Sequence, residues 1–342
     1  MSSSKPIISI VTPTFNRLDE LDHLIKSIKH QTLDYKYFEM IISDDGSSDG
    51  TREQIKNWQK EVLFKLVYVF QKNLGPGVAR NNGVKVSRGE LIVFIDSDCE
   101  ADKDWLKNIY SSFLKNEFDA FGGPDYAKDD FLPVQRAINF SMTSFLTTGG
   151  IRGHNNKMVG KFYPRSHNMG VKKSIFDKIG GFGPLRHGQD IELSNRIINK
   201  KAVVMLLEDV IVYHRRRTTL IKFFRQVFNW GVARINLAKI DNKMLQFVHV
   251  LPSIATLAFL GLICGSFIAS KLFVPLILMS FMLLFILCLY GGVKSKSILV
   301  SFYLFAVIPF QVFGYGSGFI IAFTIRYILG HNVFTGFQKK YY

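Results

Sequence analysis

The chain has 342 residues, a formal net charge of +16 at pH 7 and 48% hydrophobic residues, including 31 phenylalanines. This length allows one large domain with an appendage, or two modest domains. The basic excess suits anionic lipid headgroups, phosphate-bearing substrates or nucleic acid. The 3 cysteines have no CxxC spacing, which argues against a zinc site or a disulfide framework and fits a reducing, cytosol-facing compartment.

The charge is unevenly distributed along the chain. Charged residues are spread over residues 1–243 and nearly vanish from residues 244–325. The chain therefore has a polar front and an apolar rear. The N-terminal apolar run is too short for the apolar region of a signal peptide, so we expect the front to stay in the cytoplasm.

The polar front alternates short β-rich segments with helical patterns. The predicted pairs of strand and helix are 7–11 with 18–30, 38–42 with 51–60, 63–70 with 78–86, and 91–95 with 105–115. Such alternation predicts a mainly parallel sheet covered on both faces, with its ligand at the carboxyl ends of the strands. From residue 118 to 213 the pattern is less regular, with predicted loops at 149–160 and 180–188 and another strand at 202–207.

Carboxylates follow two of the predicted strands. Asp44 and Asp45 end the second strand. They could form a turn, with Asp49 capping the next helix, or accept hydrogen bonds from a base N–H and a ribose hydroxyl. Asp96 and Asp98 follow the fourth strand and could direct two carboxylates toward one point. Hard oxygen ligands of this kind, completed by diphosphate oxygens and water, suit Mg²⁺ or Mn²⁺.

Three further residues are candidates for chemistry. Arg80 lies on the helix that begins near the GPG sequence at 75–77, and could face a phosphate or an acid, or be structural. Asp190 begins a helical run, as a cap or as a general base. His214 could bind a metal or phosphate or be structural, and the arginines at 215–217 suit anionic headgroups or a diphosphate.

The apolar rear predicts a membrane region. Residues 218–239 form an aromatic and basic amphipathic pattern that is typical of an interfacial helix, although a core-facing surface helix also fits it. The runs 247–270 and 272–292 are long enough to span a bilayer. The third run, 298–325, contains Pro309 and several glycines, so it could be one tilted span or a bent pair of half-helices.

Basic residues indicate the orientation of this region. Lys294 and Lys296 lie between the second and third runs, and by the positive-inside rule they belong in the cytoplasm with the basic front. A third full span would place Arg326, Lys339 and Lys340 outside, which the rule disfavours. A re-entrant third segment is therefore an alternative.

The order of the motifs resembles a known family. The motifs are PTFNR at 13–17, SDDGSSDGT at 43–51, GPGVARNNG at 75–83, FIDSD at 94–98, NMGVKK at 168–173 and GQDIEL at 188–193. Together they resemble the family 2 glycosyltransferases over roughly residues 5–217. The resemblance implies an α/β domain of the GT-A nucleotide-sugar-binding fold.

The resemblance also implies the residues of the site. The nucleotide-sugar-binding residues would be Pro13, Asp44, Asp45, Arg80 and Asp96. The metal-binding DxD motif for Mg²⁺ or Mn²⁺ would be Asp96 and Asp98, and we add His214 as a candidate ligand. Asp190 would be the base of an inverting transfer, and Gln189 replaces the acid that usually precedes that base.

The resemblance also bears on the length of the product, because some membrane-bound members of the family are processive. Processive members carry a QxxRW motif, and this sequence reads QVFNW at 226–230, with Asn229 in the place of the arginine. Those members also usually have more spans. We therefore expect one sugar to move from a nucleotide-diphosphate sugar to a lipid-linked or glycan acceptor, in envelope polysaccharide or glycoconjugate synthesis.

Two alternatives stay open, and one class of partner is disfavoured. Within the family, the alternative is a processive polysaccharide synthase. Outside it, the alternative is a catalytically silent membrane scaffold that binds nucleotide sugar. Nucleic acid is not an expected partner, because the aromatic residues concentrate in the membrane-like runs rather than between basic residues.

The sequence predicts four regions. They are a GT-A domain at 1–217, an amphipathic interfacial helix at 218–246, a membrane region with two or three spans at 247–330 and a basic tail at 331–342. We expect a multi-pass protein of the inner membrane that contacts membrane lipids, with its catalytic domain facing the cytoplasm.

Overall fold

The computed structural model describes residues 5–128, 130–148, 162–215 and 218–337. Several sequence predictions fall outside these ranges. They are the loop at 149–160, the second and third of the three arginines, Arg216 and Arg217, and the end of the basic tail with Lys339 and Lys340.

Ten strands and twelve α-helices are present in the described residues. The strands are β1 (Ile8–Thr14), β2 (Phe38–Asp44), β3 (Lys65–Phe70), β4 (Leu91–Ile95), β5 (Cys99–Ala101), β6 (Ala120–Gly122), β7 (Asp125–Tyr126), β8 (Asn168–Lys172), β9 (Val204–Leu206) and β10 (Val212–His214). The helices are α1 (Leu18–Lys29), α2 (Thr51–Glu61), α3 (Pro76–Val86), α4 (Trp105–Leu114), α5 (Pro133–Thr143), α6 (Phe145–Thr148), α7 (Lys173–Ile179), α8 (Gln189–Asn199), α9 (Leu220–Ile240), α10 (Leu251–Ile268), α11 (Ser270–Lys294) and α12 (Ile298–Phe323). Short 3₁₀ turns lie at Tyr35–Tyr37, Asn242–Met244 and Phe247–His249, and a π-helical turn at Thr324–Ile328 extends α12.

Seven strands form the main sheet, in the order β3-β2-β1-β4-β8-β6-β9. Strands β1 to β4 pair in parallel, as the alternation of strand and helix predicts. Strand β8 then enters antiparallel to both of its neighbours, β4 and β6. The mainly parallel α/β sheet is confirmed, and its carboxyl edge at β1, β2 and β4 carries the predicted acids.

The residues of strand β4 are all apolar because both faces of the strand are buried. Its alternate residues enter two different cores: Leu91, Val93 and Ile95 pack with the helices on one face, while Ile92 and Phe94 pack on the other. Burying an aliphatic or aromatic side chain contributes about 1.5–3 kcal/mol. Both faces of the sheet are therefore covered. For this reason the first polar residues, Asp96 and those after it, come directly after the strand ends.

A second, three-stranded sheet lies beside the carboxyl edge of the main one. Its order is β5-β10-β7, with β10 antiparallel to β5 and parallel to β7. In this register His214 is the partner of Cys99, the residue that follows Asp98. The pairing therefore brings residues more than a hundred positions apart to one place.

Helix α9 joins the α/β domain to the apolar helices. Thr219 caps its first turn by accepting a hydrogen bond from the N–H of Lys222. More than half of its residues are buried, because α12 packs along it and α5 packs on α12. One face of α9 is therefore buried in the protein, as the core-facing alternative predicted. Ile221 and Arg225 lie on the opposite face and are exposed.

Three described helices are long and apolar enough to cross a membrane: α10, α11, and α12 with its π-helical turn. The third apolar run is one continuous helix from Ile298 to Phe323, with Pro309 inside it, and not a pair of half-helices. A proline in a helix interior removes one backbone hydrogen bond without necessarily ending the helix when neighbouring helices support it.

The crossing of α9 and α12 depends on glycines. A Cβ at Gly231 would lie 2.2 Å from the carbonyl oxygen of Tyr315, and one at Gly318 would lie 2.1 Å from that of Phe228. Gly314 and Gly318 form the small-xxx-small spacing that allows helix backbones to approach closely in membranes. The two helices are therefore in direct backbone contact at this point.

This contact predicts that Gly231→Ala destabilises the protein. The new methyl group must push α9 away from α12, and overpacking of this kind costs about 1–3 kcal/mol. The matched control is Gly261→Ala on α10, where an added Cβ has no atom within 4 Å. We expect a lower melting temperature in detergent for Gly231→Ala and an unchanged or higher one for Gly261→Ala; equal melting temperatures would contradict the close crossing.

Candidate active site

A cavity of about 830 Å³ opens at the carboxyl edge of the main sheet and continues toward the apolar helices. Three residues predicted from the sequence line it: Asp96, Asp190 and His214. Its far end is lined by residues of α9, α10 and α12, among them Trp230 and Pro252. One cavity therefore joins the predicted catalytic acids to the region of the membrane helices.

Asp96 is held by Arg80, as the helix start at 75–77 suggested. The Nη2 atom of Arg80 donates a hydrogen bond to Oδ1 of Asp96 at 2.5 Å, and the guanidinium lies 5.3 Å from the centre of the Phe182 ring. The Arg80 side chain is buried, whereas a quarter of the Asp96 side chain is exposed. Arg80 thus faces an acid of the site and fixes it from the protein side.

Asp98 lies between two basic side chains. The Nη1 atom of Arg17 is 2.5 Å from Oδ2 of Asp98, and Nε2 of His214 is 3.3 Å from Oδ1. The negative charge of Asp98 raises the pKa of Arg17 despite the opposing effect of burial. Arg17 ends the PTFNR motif, so the motif delivers a counter-charge to the DxD carboxylate.

A second carboxylate supports His214 from its other side. Oδ2 of Asp125 is 3.6 Å from Nδ1 of His214, and Oδ1 of the same carboxylate is 3.7 Å from Nε2 of His167. A carboxylate behind a histidine ring fixes the tautomer that directs the opposite nitrogen forward. The Asp125 carboxylate therefore lies beside Nδ1 of His214, while Nε2 of the same ring lies beside Asp98.

Asn168 holds the segments that carry these residues together. Its Nδ2 donates to the carbonyl oxygens of Pro124 at 3.1 Å and Val210 at 2.7 Å, and its Oδ1 accepts from Nε1 of Trp105 at 3.0 Å. Asn168 is fully buried. A satisfied buried amide of this kind fixes geometry because each lost hydrogen bond would leave a desolvated polar group.

The two acids of the SDDG sequence organise loops. Oδ1 of Asp44 accepts the N–H groups of Gly46 and Ser47, and its Oδ2 accepts the hydroxyl of Tyr68. Oδ1 of Asp45 accepts Nε2 of Gln71 and the N–H of Leu74, and its Oδ2 accepts the N–H of Gly75. Both carboxylates are fully buried, and Asp49 accepts the N–H of Thr51 as a helix start requires. The structure thus connects the DD pair to the loop that begins α3.

The end of β1 lies beside this pair. Pro13 is opposite Ser43 of β2, and the N–H of Asp45 donates to the carbonyl oxygen of Thr14. The side-chain hydroxyl of Thr14 is buried and has no hydrogen-bond partner among the described residues. An unsatisfied hydroxyl at this edge is consistent with a ligand that supplies the missing partner.

Asp190 stands in the first turn of α8. Its Oδ1 accepts the N–H of the next residue, Ile191, and the residue lines the cavity; the N-cap of α8 is Gly188. The side chain of Gln189 is buried against Gly77 of the GPG sequence, where a Cβ would lie 2.7 Å from its amide. The amide of Gln189 therefore packs α8 against α3, and the next residue, Asp190, lines the cavity.

The donor atoms at the centre suit a divalent cation. The side chains of Asp98, Cys99 and His214 each offer one atom within 4.8 Å of the others, and so do those of Asp125, His167 and His214. Carboxylate oxygens with an imidazole nitrogen are ligands that first-row divalent ions accept. Asp96, which was predicted as a metal ligand, is absent from both groups, and its Oδ1 accepts a hydrogen bond from Arg80.

Sequence reasoning missed Arg17, Asp125 and His167. Arg17 and His167 could have been noticed, because one ends PTFNR and the other immediately precedes NMGVKK. Asp125 had no such signal. Within QVFNW, Gln226 and Trp230 line the cavity, while Oδ1 of Asn229 accepts the N–H of Phe337.

The mainly parallel sheet with acids at its carboxyl edge has the architecture of the GT-A glycosyltransferases. A family model described as glycosyl transferase family 2 matches residues 9–180, about half of the chain. The chain belongs to the family 2 glycosyltransferases.

The relatives in this family act on several glycans. A poly(ribitol-phosphate) beta-N-acetylglucosaminyltransferase of Staphylococcus aureus is 35% identical over 174 residues, which cover 50% of this chain and 50% of the relative. A GalNAc(5)-diNAcBac-PP-undecaprenol beta-1,3-glucosyltransferase of Campylobacter jejuni is 41% identical over 119 residues, 34% of this chain and 38% of the relative. The chain spans about half of the length of the curated relatives it matches, or less.

A solved structure supports the architecture. The mannosyltransferase PcManGT of Pyrobaculum calidifontis, in complex with GDP-Man and Mn²⁺, superposes with a TM-score of 0.66 at 17% identity. The match covers 89% of this chain and 86% of that chain. At this identity the likeness establishes the fold, and it extends beyond the α/β domain to most of the chain.

The support of His214 by Asp125 predicts that Asp125→Asn weakens metal binding. Loss of an outer carboxylate behind a metal-binding histidine lowers metal affinity by about 10–100-fold. Mn²⁺ titration of the purified protein, followed by tryptophan fluorescence or calorimetry, measures the affinity. Asp34→Asn is the control, since Asp34 is exposed and pairs with Lys36; equal Mn²⁺ affinity of the two variants would show that Asp125 does not act through His214.

Proposed function

We propose that the protein is a membrane-bound inverting glycosyltransferase that moves one sugar from a nucleotide-diphosphate sugar to a lipid-linked or glycan acceptor. The cavity carries this proposal, because Asp96 and Asp190 line it together with residues of α9, α10 and α12. A donor bound at the carboxyl edge of the sheet and an acceptor entering from the membrane side would meet there. Relatives that act on envelope glycans and lipid-linked sugars support this assignment.

Asp190 acts as the base. It removes the proton of an acceptor hydroxyl as the hydroxyl oxygen attacks the anomeric carbon. The new bond forms on the face opposite the bond that breaks, so the configuration inverts and the nucleoside diphosphate leaves with the bonding electron pair. Asp190 stands in the first turn of α8, where the positive end of the helix dipole lies.

The donor occupies the edge formed by β1, β2 and β4. Pro13 lies in the strand wall, and Asp44 and Asp45 shape the loops that hold the base and ribose. Arg80 and Asp96 lie nearer the diphosphate and sugar. The nucleotide-binding role of Asp45 is then largely indirect, since each of its oxygens already accepts a hydrogen bond from the chain itself.

Asp98 and His214 would hold Mg²⁺ or Mn²⁺, with Asp96 close by. The cation, when bound, neutralises the charge that develops on the leaving diphosphate. The mixed carboxylate and imidazole donors favour Mn²⁺ over Mg²⁺. The structural neighbour solved with GDP-Man and Mn²⁺ supports a metal-dependent reaction.

The membrane assignment rests on the three long apolar helices. We propose a multi-pass protein of the inner membrane with the catalytic domain in the cytoplasm, a boundary near residue 217 and α9 at the interface. The close crossing of α9 and α12 supports a catalytic domain seated directly on the membrane helices.

Nucleoside diphosphate release by the purified protein tests this function. With a panel of nucleotide sugars, Mn²⁺ or Mg²⁺ and added membrane lipid extract, one donor should give metal-dependent release. Asp190→Asn should lower turnover by about 10²–10⁴-fold, because the base is lost. Asp209→Asn, at an exposed site, is the control.

Two outcomes would replace the proposal. Long products from a single donor would identify a processive synthase. Donor binding without turnover in any lipid or glycan mixture would identify a nucleotide-sugar-binding scaffold. Full activity in Asp190→Asn would remove Asp190 as the base while leaving the family assignment intact.

A further inference from the structure

The membrane end of the cavity contains basic residues that the transfer mechanism does not use. Arg165, Arg234 and His249 line the cavity together with Asp190. Arg165 precedes β8, Arg234 lies on α9, and His249 lies in the turn before α10. Three separate elements thus direct basic groups into one space.

Arg234 is the most unusual of the three. Its side chain is 7% exposed, and its Nη1 has no hydrogen-bond partner among the residues that the structure describes. Burial, and to a smaller extent the positive charge of Arg165, lower the pKa of Arg234, whereas Tyr315 and Asp190 act in the opposite direction. A buried guanidinium with an N–H group that lacks a hydrogen-bond acceptor is costly, so its retention points to a bound anion.

His249 can contribute a donor beside Arg234. It is buried, and its Nδ1 accepts the N–H of Gln246 at 3.0 Å. An imidazole nitrogen that accepts a hydrogen bond carries no proton, so the neutral ring has its N–H on Nε2. The segment before α10 therefore fixes the tautomer that offers a hydrogen bond to an anion.

The surroundings of these groups are apolar on the side of the membrane helices. Phe247 and Leu251 begin the wall contributed by the α10 region, and Val312 belongs to α12. Phe247 and Leu251 are also exposed on the outer surface. A ligand whose anionic group reaches Arg234 would therefore place an attached apolar chain against these helices.

We propose that Arg165, Arg234 and His249 form a binding site for the phosphate or diphosphate of a lipid-linked acceptor. This inference rests on the proposed glycosyltransferase function and specifies its acceptor. The lipid chain leaves the cavity along α10 and α12, and the hydroxyl of the head group reaches Asp190. The donor diphosphate is bound separately, at the edge that carries Asp96 and Asp98.

Binding of farnesyl phosphate tests the site without requiring turnover. Farnesyl phosphate, farnesol and inorganic phosphate are titrated separately into the full-length protein in neutral detergent, and affinity is measured by calorimetry. We expect farnesyl phosphate to bind at least about tenfold more tightly than either of the others, because only it joins the anion to an apolar chain. Equal binding of farnesol would show that the chain alone is recognised, and tightest binding of inorganic phosphate would show a site for a free anion; each result would overturn the proposal.

Two arginines on one helix provide matched variants. Arg234→Gln removes the buried charge, and Arg225→Gln removes an exposed one from α9. We expect Arg234→Gln to weaken farnesyl phosphate binding by at least about tenfold and Arg225→Gln to leave it unchanged. Arg165→Gln should weaken binding in the same direction as Arg234→Gln.

Two further measurements separate this site from other roles of Arg234. Nucleoside diphosphate binding with Mn²⁺ should persist in Arg234→Gln; its loss together with retained lipid binding would assign Arg234 to the donor. The melting temperature of ligand-free Arg234→Gln should equal or exceed that of the unsubstituted protein, because a buried charge with an unsatisfied N–H is removed. A lower melting temperature would mean that Arg234 is structural and would overturn the proposal, whereas absent donor turnover in every variant would count against the proposed function alone.

Discussion

The backbone contact between α9 and α12 is the constraint on which the functional geometry depends. Gly231 and Gly318 allow the two helices to approach until each meets a carbonyl oxygen of the other. Helix α9 supplies Arg234 and Trp230 to the cavity, and α12 supplies Tyr315. Because both walls meet at this contact, a small separation of the helices would change the cavity that joins the sheet edge to the membrane region.

The charges of the cavity are sorted along its length. At the sheet edge each acid has a basic neighbour, Asp96 with Arg80 and Asp98 with Arg17. At the other end the basic groups Arg165, Arg234 and His249 outnumber the acids that line the cavity. The acid that acts on Arg234 there is Asp190. A low-dielectric wall of apolar helices strengthens both fields. Such an arrangement suits a cation at one end and an anion at the other, with the reacting hydroxyl between them.

Much of the fold could be predicted because its signals are local. Strand β4 was recognisable from its wholly apolar run, and Asp96, which follows it, lines the cavity at the carboxyl edge of the sheet. The antiparallel entry of β8 was not predictable, since strand direction depends on a chain path through distant residues. Asp125 and His167 were missed for the same reason: their relation to His214 arises from strand pairing between β7 and β10 and from the buried Asn168, not from spacing along the sequence.

The contacts of Asn229 explain why an asparagine can stand where processive members of the family have the arginine of QxxRW. Its amide oxygen accepts the N–H of Phe337, and Asn236, further along α9, donates to the carbonyl oxygen of Phe334. The segment after α12 thus returns to α9 and covers the side on which Asn229 lies. An arginine there would have to displace this segment or bury its charge without a carboxylate partner. Asparagine at position 229 therefore suits a helix face that is covered by the segment after α12.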